Sequence, residues 1–354
     1  MFALLRNLFS FFWRWRFWKT LLASVLTLAL AGCNQPPGLT KLSGPAQGTT
    51  WHVSFWQPDG ADSETIQSEI VSELERLDAL MSNYRSDSVI ERFNHSEASE
   101  PVEVGPEIVS LINRAREVSL ASQGCYDLTV KPIFDLWGFS GQQVSVPEEA
   151  ELHNRLKDIG MDRLATRSTT ELIKSAPGLQ VDLSSIAQGY TVDKMAEVLE
   201  SAGIEHYLVE LGGELKTRGH KPGGEPWRVA IERPAPSERS VHKVVTIHRD
   251  TPLSVMTSGT YRHYFDDRGQ RYSHVLDART GWPVDHSTVS VTVIDGDPTW
   301  ADAWSTALLC LGTEEGSAVA DRNDIAALFI EQQSGQLHET TTEAWNALKS
   351  VEVD

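Results

Sequence analysis

Residues 297–312 read "DPTWADAWSTALLCLG", a helix start followed by an apolar run. Asp297 is a good N-cap and Pro298 suits the first helical position, so the N–H groups of the first turn already have a carboxylate to serve them. Asp302 is then a second carboxylate that the helix does not need. On a helix Asp302 and Thr306 stand at i and i+4, so their oxygens share one face with Ser305 beside them. Ala303, Trp304, Ala307, Leu308 and Leu311 can meanwhile fill a core. A carboxylate and a hydroxyl one turn apart suit a hard cation such as Mg²⁺. For these two residues taken alone, an Asp favoured near a helix N-terminus by the helix dipole is the simpler account.

Working outward, "WHVSFW" at 51–56 alternates as a strand. Ile66, Ile70, Leu74, Leu77 and Met81 then fall at helical spacing, as do Ile108, Leu111, Ile112, Ala115 and Val118. Residues 147–159 read as a surface helix, and Ser184 to Ala202 as a longer one with Val192, Met195 and Leu199 on one face. Strands follow at 206–211, 227–232 and 242–248, then near 260, 272 and 288, and at 325–330. Helices and strands alternate without a regular βαβ rhythm, so the predicted class is α+β, with mixed, mostly antiparallel sheets and packed helices.

The N-terminus carries a targeting pattern. Arg6, Arg14, Arg16 and Lys19 precede the apolar "LLASVLTLALAG" at 21–32, which ends on "LAGC" at Leu30 to Cys33. A bilayer-spanning helix needs roughly 20 apolar residues, so residues 1–32 are read as a cleaved lipoprotein signal peptide and Cys33 as the lipidated N-terminus. Residues 33–46 are read as that lipidated cysteine and a flexible tether, and 47–354 as one folded domain. That pattern implies an exported, lipid-anchored protein on the periplasmic side of a bacterial membrane; the inner membrane is the expected one, and the pattern does not separate it from the outer.

Removing residues 1–32 takes away four basic residues and no acidic one, leaving a net charge near −22. Such a surface repels nucleic acid and anionic lipid. Cys125 and Cys310, the cysteines left besides Cys33, are too few for a disulfide framework; two buried free thiols are the favoured reading, with one bridge between them in an oxidising compartment as the alternative.

Of three further stretches, the first and last could carry chemistry. "VDLSSIAQGYTVDKM" at 181–195 places a hydroxyl-bearing cap at a helix start, with Gly189 where backbone could approach a phosphate. "ELGGEL" at 210–215 reads as a Gly-Gly hairpin that needs no functional explanation. Residues 257–283 hold a hairpin around "DDRG" and two histidines; either His274 or His263 could serve as a general base, and spacing does not separate them.

Eight segments in order now resemble one family, the ApbE-type FAD:protein FMN transferases. They are "GTTW" at 48–51, "LDALMSNYRSDSVIERFN" at 77–94, "GCYDLTVKPIFDLWGF" at 124–139, "VDLSSIAQGYTVD" at 181–193, "LVELGGEL" at 208–215, "TSGTYRHY" at 257–264, "HVLDARTGWPV" at 274–284 and "ADAWSTALLCLG" at 301–312. The resemblance implies an ApbE-like, T-fold-related architecture. It implies Mg²⁺-dependent cleavage of FAD, with the FMN half passing to a Thr or Ser hydroxyl of an exported respiratory or redox flavoprotein and AMP released. Carried onto this sequence, Asp302 and Thr306 would ligate Mg²⁺ by side chain and Ala187 and Ser305 by backbone carbonyl. His274 would be the base. Tyr84 would pack against the flavin nucleotide, and Cys125, Tyr126, Asp127, Asp182, Ser185, Gln188 and Val275 would contact FAD. Two positions depart from the family pattern: Gln47 stands where Met is typical, and Gln188 where many members have Lys or Glu. Two other functions fit the same residues, a metal-dependent FAD pyrophosphatase using water as nucleophile and a non-enzymatic FAD-binding lipoprotein.

Overall fold

In the computed structural model, residues 38–57, 60–141, 143–235 and 240–354 are described. Residues 1–32, expected to be a signal peptide, and Cys33 lie outside them. No helix among the described residues is long and apolar enough to cross a membrane.

Eight strands form the central sheet: β1 Thr40–Ala46, β2 Thr49–Trp56, β3 His206–Leu211, β4 Glu214–Arg218, β5 Leu253–Gly259, β6 Thr288–Asp295, β7 Ala326–Gln333 and β8 Gln336–Thr341. Their order in the sheet follows their order in the chain, and every neighbouring pair is antiparallel. The sheet is therefore a meander. Helices enter it as insertions: α1 Ser63–Met81, α2 Gly105–Ala121 and α3 Ser184–Ser201 between β2 and β3, and α4 Pro298–Arg322 between β6 and β7. The expected α+β class is the observed one.

Strand alternation divides the sheet between two cores. Val53, Phe55, Val209, Met256, Val291, Val293 and Phe329 face the four helices, where Ile70, Leu77, Ile112, Val192, Leu199, Trp304 and Leu308 are buried. Val255, Ile294, Leu328 and Ile330 point the other way, against a three-stranded sheet of Trp227–Glu232, Val241–Ile247 and Val351–Val353. A third cluster of Ile133, Trp137, Leu152 and Leu276 lies beneath the segment that follows His274. There the Trp137 indole N–H donates to the Gly281 carbonyl at 2.9 Å.

Residues 40–46 do not form part of the expected flexible tether. They are strand β1, paired residue by residue with β2, and the compact unit begins at Leu39. Gln47 and Gly48 both take positive φ, 48° and 74°, and close a two-residue hairpin. Pro45 is tolerated because β1 is an edge. Gly44 lets the Trp51 ring lie against the strand, since a Cβ there would stand 2.8 Å from the indole nitrogen.

Candidate functional site

The polar groups singled out by sequence are carried by the insertions, which place them along the helix-facing side of the sheet. Asp297 does cap α4, accepting from the Trp300 N–H at 3.2 Å, so Asp302 is spare as expected. It is 5% exposed, and its Oδ2 accepts from the Gly189 N–H at 2.7 Å. That contact locks α4 to α3. A Cβ at Gly189 would come within 2.3 Å of the Pro298 carbonyl oxygen. The missing side chain thus serves helix-on-helix packing, a correction to the expected phosphate approach. The cap of α3 differs too: Leu183 occupies it, and the nearby N–H groups of Ser184 and Leu183 are taken by Asp182 and Asn83 side chains at 2.7 and 3.1 Å.

Glu214, at the start of β4, is a second buried carboxylate beside Asp302. Its Oε2 accepts from the Thr257 N–H at 3.0 Å. Burial, then the neighbouring Asp302 charge, hold the Glu214 carboxyl well above its usual range, and burial pushes Asp302 up to about 7. Two buried acids of like charge favour a cation between them or a retained proton. Around them the donors are oxygens. Ser258 Oγ stands 2.8 Å from Ser305 Oγ and 2.9 Å from Thr306 Oγ1, and the Ser305 hydroxyl donates to the Asp302 carbonyl at 2.9 Å. The Ala187 carbonyl, a backbone oxygen in the first turns of α3, accepts from the Thr191 hydroxyl at 2.7 Å. Gln47 reaches the same spot, donating to Thr191 Oγ1 at 3.1 Å. This set fits Mg²⁺, a hard cation that takes oxygen ligands.

Of the residues expected to contact FAD, Asp182, Ser185 and Gln188 stand at the start of α3, with Tyr126 against Ser185. Tyr84 is 75% exposed, an aromatic face open to a planar ligand. Tyr126 is buried, and its hydroxyl accepts from Ser185 Oγ at 3.3 Å. The Asp127 carboxylate is engaged by Thr129, at 2.7 Å from its N–H, and by the Met161 N–H at 3.0 Å, so it holds its own turn together. Burial raises the Asp182 carboxyl, against the pull of the Ser184 N–H and of the Lys131 charge. The Gln188 amide lies 3.0 Å from where a Cβ on Gly212 would sit, against the β3–β4 turn. Val275 is buried in the helix-side core.

The structure separates the two histidines. His274 donates from Nδ1 to the His263 carbonyl at 3.0 Å, and its own N–H reaches the same oxygen. A carbonyl can only accept, so the Nδ1 proton is fixed and Nε2 keeps its lone pair. Burial, aided by the His263 ring, lowers the His274 imidazole to about 4. His263 contributes a backbone oxygen, while its own ring is exposed.

Cys125 and Cys310 are not free thiols: they form a disulfide, with Cα atoms 6.0 Å apart across a sequence separation of 185. Sequence spacing could not reveal this, because the β meander brings distant segments together. Asp277 lies with both sulfurs within 4.8 Å, but the sulfurs are bonded to one another and Arg279 pairs with the carboxylate at 2.7 Å. That trio has no thiolate to offer a metal.

Sequence reasoning missed Glu214, Ser258 and Lys131. Alternation was the available signal for Glu214, since Leu215 faces the far core and its neighbour must face the helices. Lys131 is buried beside Asp135, 2.9 Å away, and its charge acts on Tyr84 and Asp182.

Residues 47–329 match the ApbE family. An FAD:protein FMN transferase of Vibrio cholerae is 42% identical over 318 residues, covering 89% of this chain and 93% of the relative. One from Escherichia coli K12 is 36% identical over 319 residues, covering 86% and 90%. Among solved structures, the flavin transferase ApbE from Vibrio cholerae superposes with a TM-score of 0.80 at 39% identity, covering 88% of this chain and 99% of that one. The apo flavinyl transferase ApbE of Pseudomonas stutzeri gives 0.81 at 38%, covering 89% and 98%. Relatives and fold together define an enzyme of the flavin transferase class. The chain belongs to the ApbE family.

Proposed function

We propose that this chain transfers the FMN moiety of FAD to a Thr or Ser hydroxyl of an exported flavoprotein, with AMP as the other product and Mg²⁺ required. Asp302 carries the reading. It is a buried carboxylate, raised in pKa, near a second buried acid and one helical turn from the Thr306 hydroxyl, an arrangement that storage of a flavin would not need. Mg²⁺, when held by Asp302, Thr306 and the carbonyls of Ala187 and Ser305, supplies charge neutralisation for a diphosphate that this strongly acidic chain would otherwise repel.

The chain's own residues do the rest. Tyr84 offers its exposed ring to the flavin nucleotide, and Tyr126, Asp182, Ser185 and Gln188 line the approach to α3. His274, its tautomer set by the His263 carbonyl, takes the acceptor hydroxyl's proton at Nε2. The hydroxyl oxygen then bonds to the FMN phosphorus as the bond to the AMP oxygen breaks. The signal pattern supports attachment through lipidated Cys33 on the periplasmic side of a membrane, where exported flavoproteins are within reach.

Mass spectrometry of an exported flavoprotein incubated with the protein, FAD and Mg²⁺ tests this reading. One FMN on one hydroxyl residue, with AMP released in equal amount, is the expected result. Free FMN with an unmodified acceptor would make the enzyme a pyrophosphatase, and intact FAD would leave a binding protein.

A further inference from the structure

We propose that the Cys125–Cys310 disulfide is a positioning cross-link for the transfer site, fixing the flavin-side turn against the ligand-bearing face of α4. Asp302, Thr306 and Cys310 stand at i, i+4 and i+8, one stripe along the helix. The sulfur is therefore one turn beyond Thr306 on the same face. Two residues further on, Gly312 (φ 75°, ψ 177°) interrupts the helix, so the tie grips the end of the segment that carries both proposed ligands.

Its other end is Cys125, next to Tyr126, whose hydroxyl meets Ser185 on the first turn of α3. The same junction gathers the chain that follows His274. The Ala278 N–H donates to the Cys125 carbonyl at 3.2 Å, and Cys310 Sγ lies 3.7 Å from the Leu276 carbonyl oxygen. Flavin side, ligand side and base side thus converge on one covalent bond.

Folding alone does not call for that bond at that place. The apolar side of α4 is already close-packed, with Ala303, Trp304, Ala307 and Leu308 at 0–1% exposure. The stripe of Asp302, Ser305 and Thr306 is different, because hydroxyls and a carboxylate give little apolar contact to hold a neighbouring turn in place. A 6.0 Å Cα–Cα tether supplies the missing constraint. A misplacement of about 1 Å at reacting groups can cost on the order of 100-fold in rate, so a constraint here bears on catalysis more than on folding.

The proposal rests on the reading of α4 and the 125–127 turn as two sides of one site, and the test separates the two. The variants Cys125→Ser and Cys125→Ala/Cys310→Val are compared with oxidised wild-type protein, and with wild type treated with a phosphine reductant. There the S–S bond takes two electrons and two protons while the phosphine gains oxygen from water. Far-UV circular dichroism reports folding, flavin fluorescence the affinity for FAD, and acceptor labelling the transfer rate at 25 °C.

The expected result is unchanged helix signal, weaker FAD binding, and a transfer rate lowered roughly 10-fold or more. Reoxidation should restore the reduced wild type, and the packing-matched double variant should stay impaired. A lower melting temperature with FAD affinity and rate unaltered would overturn the proposal and leave the bond a structural staple. If a variant loses its helix signal, the reduced wild type gives the same comparison. If the oxidised wild type itself fails to label any acceptor, it is the transfer reading that has failed.

Discussion

Asp302 and His274 occupy opposite kinds of structure. Asp302 lies on a helix clamped to its neighbour through Gly189, whose N–H its buried carboxylate accepts. His274 lies just after a two-stranded hairpin, Tyr264–Asp267 with Gln270–Ser273, and is held by one backbone carbonyl. Burial moves the two groups in opposite directions, raising the acid to about 7 and lowering the imidazole to about 4. Desolvation disfavours the charged form of each. For the acid this creates a demand for a cation, while for the imidazole it preserves a neutral base throughout the neutral range.

The largest expected effect breaks the acid side. Asp302→Ala should lower transfer on the order of 10⁴-fold, because several kcal/mol of charge stabilisation at the phosphates go with the cation, and excess Mg²⁺ should rescue little. In the unaltered protein a bound cation must displace the proton, so the Mg²⁺ concentration for half-maximal rate should rise as pH falls through about 7. The sign for stability is the reverse. The folded chain holds this proton more tightly than the unfolded one, so without a dication this group's contribution should decline as pH rises from 3.8 towards about 7. Subtracting melting curves of Asp302→Asn isolates that slope.

On the base side, His274→Ala should lower the transfer rate roughly 10²- to 10⁴-fold while FAD affinity, read by fluorescence, changes little. At saturating Mg²⁺ the unaltered enzyme should keep its rate well below the ordinary histidine pKa of 6.5 and lose it only as pH approaches about 4. A break near 6.5 would place the imidazole in water.

Smaller effects sharpen the contrast. Gly189→Ala should destabilise the fold by about 1–3 kcal/mol in urea unfolding, since the new methyl group strikes the Pro298 carbonyl. His263→Ala should change the transfer rate by less than about 3-fold, because the oxygen that His274 uses belongs to the backbone and survives the substitution.

How far the sequence could be read differs between the two sides for the same physical reason. Helical periodicity is local, so Asp302, Ser305 and Thr306 could be placed on one face, and the spare carboxylate recognised, before any tertiary contact was known. The choice between His274 and His263 depends on which ring is the less exposed and which carbonyl it meets, and strand spacing carries neither fact. Glu214 hid in a turn whose glycines explained it sufficiently. The disulfide joins residues separated by 185 positions, and only the folding of the meander makes them neighbours. The edge strand β1 was overlooked because Pro, Gly and Ser dominate its stretch; its pairing with β2 decides the matter.

Mn²⁺ soaked into crystals of the protein, located by its anomalous scattering, tests the central claim most directly. A single strong peak bonded to the carboxylate of Asp302 and the hydroxyl of Thr306, and lost in Asp302→Asn, is the predicted result. A peak elsewhere, with Asp302 still protonated and bonded only to Gly189, would contradict the account.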